Sequence, residues 1–249
     1  MSKNILKFWV LISILFQSHL GHAKDFMSEV ARANNLYANN NYQEAADVYE
    51  SIHLAGLNNG YLYYNLGNTY IRLGKTGFAI LNYIRARKLI PRNENLQANL
   101  NFAIQQTRDK IPLPEQSTLN TLFFWVSDLS LSEFLKSAFL INLIFWLTLI
   151  VWFYFRSKTF KLIRNLFFYM LLFGIISVIV KLNVETGSKT GVVIANKVSV
   201  KSGLDSSNAT LFELHEGALV KITEERKNWY EIRLNEKQKG WVPKDTLGT

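Results

Sequence analysis

The sequence predicts a multidomain membrane protein built from an all-α solenoid, two transmembrane helices and a small all-β barrel. Three observations carry that expectation: two long apolar stretches, a polar helical region in which small and aromatic residues recur at a fixed interval, and a final run of short alternating segments. The 49% hydrophobic content of the 249-residue chain is therefore an average over unlike parts.

From Ser137 to Phe155, SAFLINLIFWLTLIVWFYF, nineteen residues carry no formal charge. At a helical rise of about 1.5 Å per residue they span roughly 28 Å, close to a bilayer's hydrocarbon core of ~30 Å. The run 162–182, LIRNLFFYMLLFGIISVIVKL, reads as a second span, with Arg164 and Lys181 near its ends, where long basic side chains reach the headgroups. Gly174 and Ser177 are small residues three apart that would let the second span approach the first. Neither span has an ionisable residue near its middle, so a channel or proton path has no support.

The start of the chain has another layout. Lys3 and Lys7 precede the apolar block FWVLISILF, and Gly21-His22-Ala23 supplies small residues two apart, as in a signal peptide over 1–23. An uncleaved anchor is the alternative. Between the spans, Arg156, Lys158, Lys161 and Arg164 crowd the short loop 156–161 and its edge, whereas the outer flanks offer chiefly Lys136 and Lys181. The bias of basic residues toward cytoplasmic loops places this loop in the cytoplasm. Both signals send 24–110 and 187–249 to the extracytoplasmic side.

Charge and composition exclude several classes. The net charge of +9 includes two lysines in the signal peptide and four basic residues around the loop, so topology explains it better than a nucleic-acid surface. The chain has no cysteine, which removes disulfides and Cys/His metal centres. After the signal peptide only His53 and His215 remain, in different regions, and neither accompanies a nucleophile elbow or a phosphate-cradling glycine loop. No catalytic residue, cofactor or metal site is expected, and enzyme is the weaker class.

In the region 24–110 the clearest unit is YLYYNLGNTYIRLGKTGFAILNYIRARKLIP, Tyr61 to Pro91. Tyr63, Leu66, Gly67, Tyr70, Ala79, Tyr83, Ala86 and Pro91 occupy the eight signature positions of the tetratricopeptide repeat (TPR), which this unit resembles. Small residues at 67, 79 and 86 let two antiparallel helices approach, the tyrosines and Leu66 fill between them, and Pro91 stops the second helix. Shifting back by about 34 residues gives a more degenerate repeat with Ala33, Leu36, Ala45, Tyr49 and Ile52 at the matching places, and with Glu29 and Arg32 departing from the pattern. ENLQANLNFAIQQ, Glu94 to Gln106, reads as a capping helix, so the array is two repeats plus a cap. The resemblance implies that Asn34, Asn65, Asn68 and Asn99 face a groove where amides bond an extended peptide; solvation, or holding neighbouring helices in register, is the alternative. Val30 and Asn99 replace the basic residues of carboxylate-gripping relatives, so no such clamp is expected.

The segment 111–136 holds two of the four prolines and then LFFWVSDLSLSEFLK, Leu122 to Lys136, read either as an interfacial helix leading into the first span or as a helix buried against the array. From Gly187 to Thr249 short β-type runs follow: TGVVIA, KVSVKSG, ATLFEL, ALVKITEERK, NWYEIRL and KGWVPKD. The pattern VSVKSG, LHEG, NWYEIRL, GWVP resembles a bacterial SH3-like domain, with Leu204 departing from it. Trp229, Tyr230 and Trp241 are candidates for a ligand groove, or for core and rim packing of a small barrel. Lys221, Arg226, Lys227, Arg233, Lys237 and Lys239 give this region a basic surface that would meet anionic lipid or wall polymer, or keep it soluble.

The order of these parts resembles the BatE-type proteins of bacterial aerotolerance (Bat) operons. The resemblance implies a multi-pass protein of the bacterial inner membrane with periplasmic TPR and SH3-like domains, a non-enzymatic scaffold linked to oxidative-stress tolerance and envelope integrity. Implied partners are von Willebrand A-domain membrane proteins of the same group and, indirectly, a MoxR-type ATPase, with no nucleic acid. A cell-wall sensor or anchor that binds peptidoglycan through the SH3-like domain is the alternative.

Overall fold

A computed structural model describes residues 26–112, 124–187, 189–235 and 237–249. The signal peptide expected over 1–23 and part of the expected linker, 113–123, lie outside them. The described chain is mostly helical up to residue 187 and ends in an antiparallel sheet.

Five helices make an array: α1 (26–38), α2 (Tyr42–Leu54), α3 (Gly60–Arg72), α4 (Thr76–Leu89) and α5 (Glu94–Gln106). Side-chain caps start two of them, since Asn59 Oδ1 accepts from Tyr61 N at 2.8 Å and Asn93 Oδ1 accepts from Leu96 N at 2.9 Å. Left-handed residues end the first three: Asn40 (φ 64°), Gly56 (φ 99°) and Gly74 (φ 71°). The residue after each donates its N–H to the carbonyl five positions back, at Leu36, Ile52 and Tyr70. After α4, Ile90 leaves the helical region (φ −131°, ψ 61°) ahead of Pro91, whose ring disfavours a helical residue before it.

Tyr63, Leu66, Tyr70, Ala79, Tyr83 and Ala86 are all buried in one cluster with Ala33, Ala45, Tyr49 and Ile52. Each large side chain so enclosed stabilises the fold by about 1.5–3 kcal/mol. Gly67 lets α3 and α4 touch, because a Cβ there would stand 2.6 Å from the Tyr83 ring.

A short helix α6 (Phe124–Asp128) leads into α7 (Leu131–Phe155) and α8 (Lys158–Gly187), the last two long and apolar enough to cross a membrane. Ser130 starts α7 with a capping box: its Oγ accepts from Glu133 N at 3.3 Å, and Glu133 Oε2 accepts from Ser130 N at 2.8 Å. The connection between α7 and α8 is Arg156-Ser157 alone, so Lys158 and Lys161 of the expected loop sit in the first turn of α8.

Two expectations for these helices are corrected. Gly174 has open space where its Cβ would be, so it marks no close approach to the first span, and Ser177 accepts from Trp125 Nε1 of α6 at 3.2 Å. Lys181 is 7% exposed and donates to Val126 O at 2.9 Å; the helix-end carbonyl of α6 holds the ammonium that was expected to reach the headgroups. With Trp125 5.4 Å from Phe173, α6 packs on α8, and Arg92 of the array pairs with Glu133 of α7.

The sheet comprises β1 (Lys189–Val193), β2 (Lys197–Lys201), β3 (Thr210–His215), β4 (Leu219–Arg226), β5 (Trp229–Arg233), β6 (Lys239–Pro243) and β7 (Leu247–Gly248), in the order β3-β2-β6-β5-β4-β1-β7. Val198, Val200, Leu214, Val220, Ile222, Ile232 and Val242 alternate inward to form its core.

Candidate functional site

The four asparagines form two equivalent hydrogen-bonded sets. Asn34 Oδ1 accepts from Tyr49 OH at 2.6 Å and from Asn65 Nδ2 at 3.1 Å. Asn68 Oδ1 accepts from Tyr83 OH at 2.7 Å and from Asn99 Nδ2 at 2.9 Å. The sequence separations, 15 for each tyrosine and 31 for each amide pair, repeat from one set to the next. Each set ties three helices: α1, α2 and α3, then α3, α4 and α5. The amides thus share a face of α1, α3 and α5 and hold those helices in register. Phe102 continues the spacing of Asn34 and Asn68 on α5 and is 60% exposed, an apolar member of that face that the amide count overlooks.

The aromatic residues of the sheet divide between its faces. On β5, Trp229 stands opposite Pro243 and Glu231 opposite Trp241, so both tryptophans share the outer face with Arg226, whose guanidinium lies 5.8 Å from the Trp241 ring. Tyr230, next to Trp229 on the strand, points the other way and packs against the core of the sheet, which is the packing alternative. The outer face therefore has two aromatic members, both half-buried.

Array and sheet meet over a close interface that no sequence motif announces. Gly77 N, at the start of α4, donates to Glu216 Oε1 at 2.8 Å, so a carboxylate from the β3–β4 turn supplies the helix start that Lys75 leaves without a side-chain cap. Beyond α5, Asp109 takes His215 N at 2.7 Å on Oδ2, and His215 Nδ1 stands 2.9 Å from Oδ1. Arg85 donates to Thr249 O at 2.8 Å. A Cβ added at Gly77 would stand 2.6 Å from Val193 O, one at Gly217 2.5 Å from Thr107 Cγ2, and one at Gly248 2.4 Å from Leu81 Cδ2. Val192 and Leu219 of the sheet belong to the core cluster of the array. None of Asn34, Asn65, Asn68, Asn99, Trp229 or Trp241 takes part in these contacts, so the interface leaves both faces uncovered.

The two histidines among the described residues have structural partners. His53 Nδ1 meets Tyr63 OH at 3.0 Å in the last turn of α2, and His215 closes the interface. Among the described residues no group of three or more His, Asp or Glu is placed to hold a metal ion.

No curated protein matches the chain. Residues 196–248, from the turn before β2 through β7, match the family described as bacterial SH3 domain.

Proposed function

We propose that the protein is a non-enzymatic, membrane-anchored scaffold whose helical array is a short TPR solenoid and whose head, array and SH3 domain together, presents two binding faces on the extracytoplasmic side. The carrying observation is the interface itself: it fixes the array to the barrel through α4, β1, the β3–β4 turn and β7, and leaves the asparagine face and the Trp229–Trp241 face uncovered. A head of this kind holds two partners at a set separation. The two long apolar helices supply the anchor, and the four basic residues at their junction orient it with that junction in the cytoplasm.

The BatE-type resemblance names the partner class: von Willebrand A-domain membrane proteins, with a MoxR-type ATPase acting through them, in oxidative-stress tolerance. Crosslinking in native membranes tests this. Wild-type chain is expected to carry its crosslinked partners, and Gly67→Leu, which drives a side chain into Tyr83, is expected to lose them. Undiminished capture by that variant sinks the array as the binding face.

A second reading, cell-wall anchoring, is favoured by the outer tryptophans with Arg226 over Trp241. Retention of the full chain on purified peptidoglycan, lost in Trp229→Ala/Trp241→Ala, selects it over the scaffold.

A further inference from the structure

Arg156 sits in the left-handed region (φ 49°) and donates its N–H to Trp152 O at 2.8 Å, ending α7. That turn folds its guanidinium back to 5.1 Å from the Trp152 ring and 4.9 Å from the Phe153 ring. Arg164, in the second turn of α8, brings its guanidinium to 4.3 Å from the same indole, while Asn165 Oδ1 accepts from its Nε at 3.2 Å and its Nη2 at 2.7 Å, which steadies one edge of the guanidinium. One aromatic ring thus gathers two guanidiniums from two helices. Lys158 and Lys161 stand exposed beside them at the first turn of α8, whose opening N–H groups add partial positive charge. Among the described residues no carboxylate pairs with any of these four cations.

We propose that this corner is a binding site for the phosphodiester of an anionic phospholipid. Guanidiniums grip phosphate oxygens through paired N–H donors, and two of them pre-placed on one ring avoid much of the ordering cost of binding. The flanking surface decides between lipid and free phosphate. Phe153, Tyr154 and Phe155 are 61%, 78% and 72% exposed directly beside Arg156, an aromatic belt that suits the glycerol and upper acyl region of a lipid and that a soluble anion would not use. The inference rests on the membrane-anchored reading and adds to it: the basic corner does more than orient the chain, since it selects the lipid around it.

The test uses the full chain purified in detergent, with native mass spectrometry of bound phosphatidylglycerol against phosphatidylcholine. The wild type is expected to retain phosphatidylglycerol, Arg156→Gln/Arg164→Gln to lose it by about tenfold, and Lys158→Gln/Lys161→Gln to stay within about twofold. Arg156→Lys/Arg164→Lys, which keeps the charge that guides insertion, is expected to fall between. Equal loss in the arginine and lysine pairs means diffuse attraction and overturns the site, as does equal retention of phosphatidylcholine. Displacement of phosphatidylglycerol by millimolar inorganic phosphate overturns the lipid assignment. Flotation with phosphatidylcholine vesicles, alone and with phosphatidylglycerol added, separates the two readings: a chain that floats with neither removes both, and one that floats equally with both removes this one alone.

Discussion

His215 is held twice by Asp109, through its main-chain N–H at 2.7 Å and through Nδ1 at 2.9 Å, across 106 residues of sequence. One carboxylate therefore ties the end of β3 to the segment that leaves α5. Asp109→Ala strands a part-buried main-chain donor and is expected to cost about 1–3 kcal/mol, whereas His215→Ala keeps the main-chain bond and costs less. Urea denaturation of the purified full chain measures both. A smaller loss for Asp109→Ala than for His215→Ala shows that the main-chain bond does not hold the interface.

The interface glycines permit a sharper test of contact. Gly217→Ala combines a left-handed backbone (φ 82°) with a Cβ 2.5 Å from Thr107 Cγ2, while Gly74→Ala has the same backbone problem (φ 71°) and open space. Conformational strain alone is about 1–2 kcal/mol, and overpacking adds about 1–3 kcal/mol, so Gly217→Ala is expected to be the more damaging of the two. Hydrogen exchange locates the effect: faster exchange in α4 and β1 is expected from Gly217→Ala and not from Gly74→Ala. Indistinguishable exchange in the two variants removes the contact as its cause.

The helical character of 26–106 was legible because small, aromatic and apolar residues recur there at helical spacing. Asn34 and Asn68 recur about 34 residues apart, and so do the left-handed Asn40 and Gly74 that end α1 and α3. The interface was illegible for the opposite reason. Gly77, Gly217 and Gly248 act by having no side chain, and Asp109 and Glu216 are ordinary surface residues until the fold brings them to His215 and Gly77 N. For Tyr230 the packing alternative is the one that the structure favours: adjacent strand residues face opposite ways, so Tyr230 lies on the inner face while Trp229 lies on the outer.

Alkaline pH reads out the core of the array. Burial pushes the Tyr49 hydroxyl up from 10.0 to about 12, and burial likewise raises Tyr83 and Tyr70, the latter helped by Glu50 accepting its hydrogen bond. A raised phenol keeps its proton in the folded array after the unfolded chain has lost it. Its stabilisation is therefore complete below pH 10.0 and is lost as pH rises through about 12. Phenolate absorbance from these tyrosines is expected to appear together with loss of helical circular dichroism, and Tyr49→Phe to shrink that joint step. Their phenolates appearing while helicity is intact contradicts the enclosure.

Asn68 separates register from recognition. Its Oδ1 serves both the Tyr83 hydroxyl, in a ring 1% exposed, and Asn99 Nδ2, so Asn68→Ala strands a buried hydroxyl and is expected to cost about 1–3 kcal/mol. Asn99→Ala leaves the Tyr83 bond in place and removes an amide from the shared face, with a smaller expected cost of about 0.5–1.5 kcal/mol. If the amides serve only to align the helices, crosslinked partner yield tracks the folded fraction in both variants. If they also bond a partner's backbone, Asn99→Ala loses yield while the array stays folded by circular dichroism. That divergence between binding and stability is what the scaffold reading requires, because Asn99 stands on the uncovered face, where α5 presents it beside Phe102.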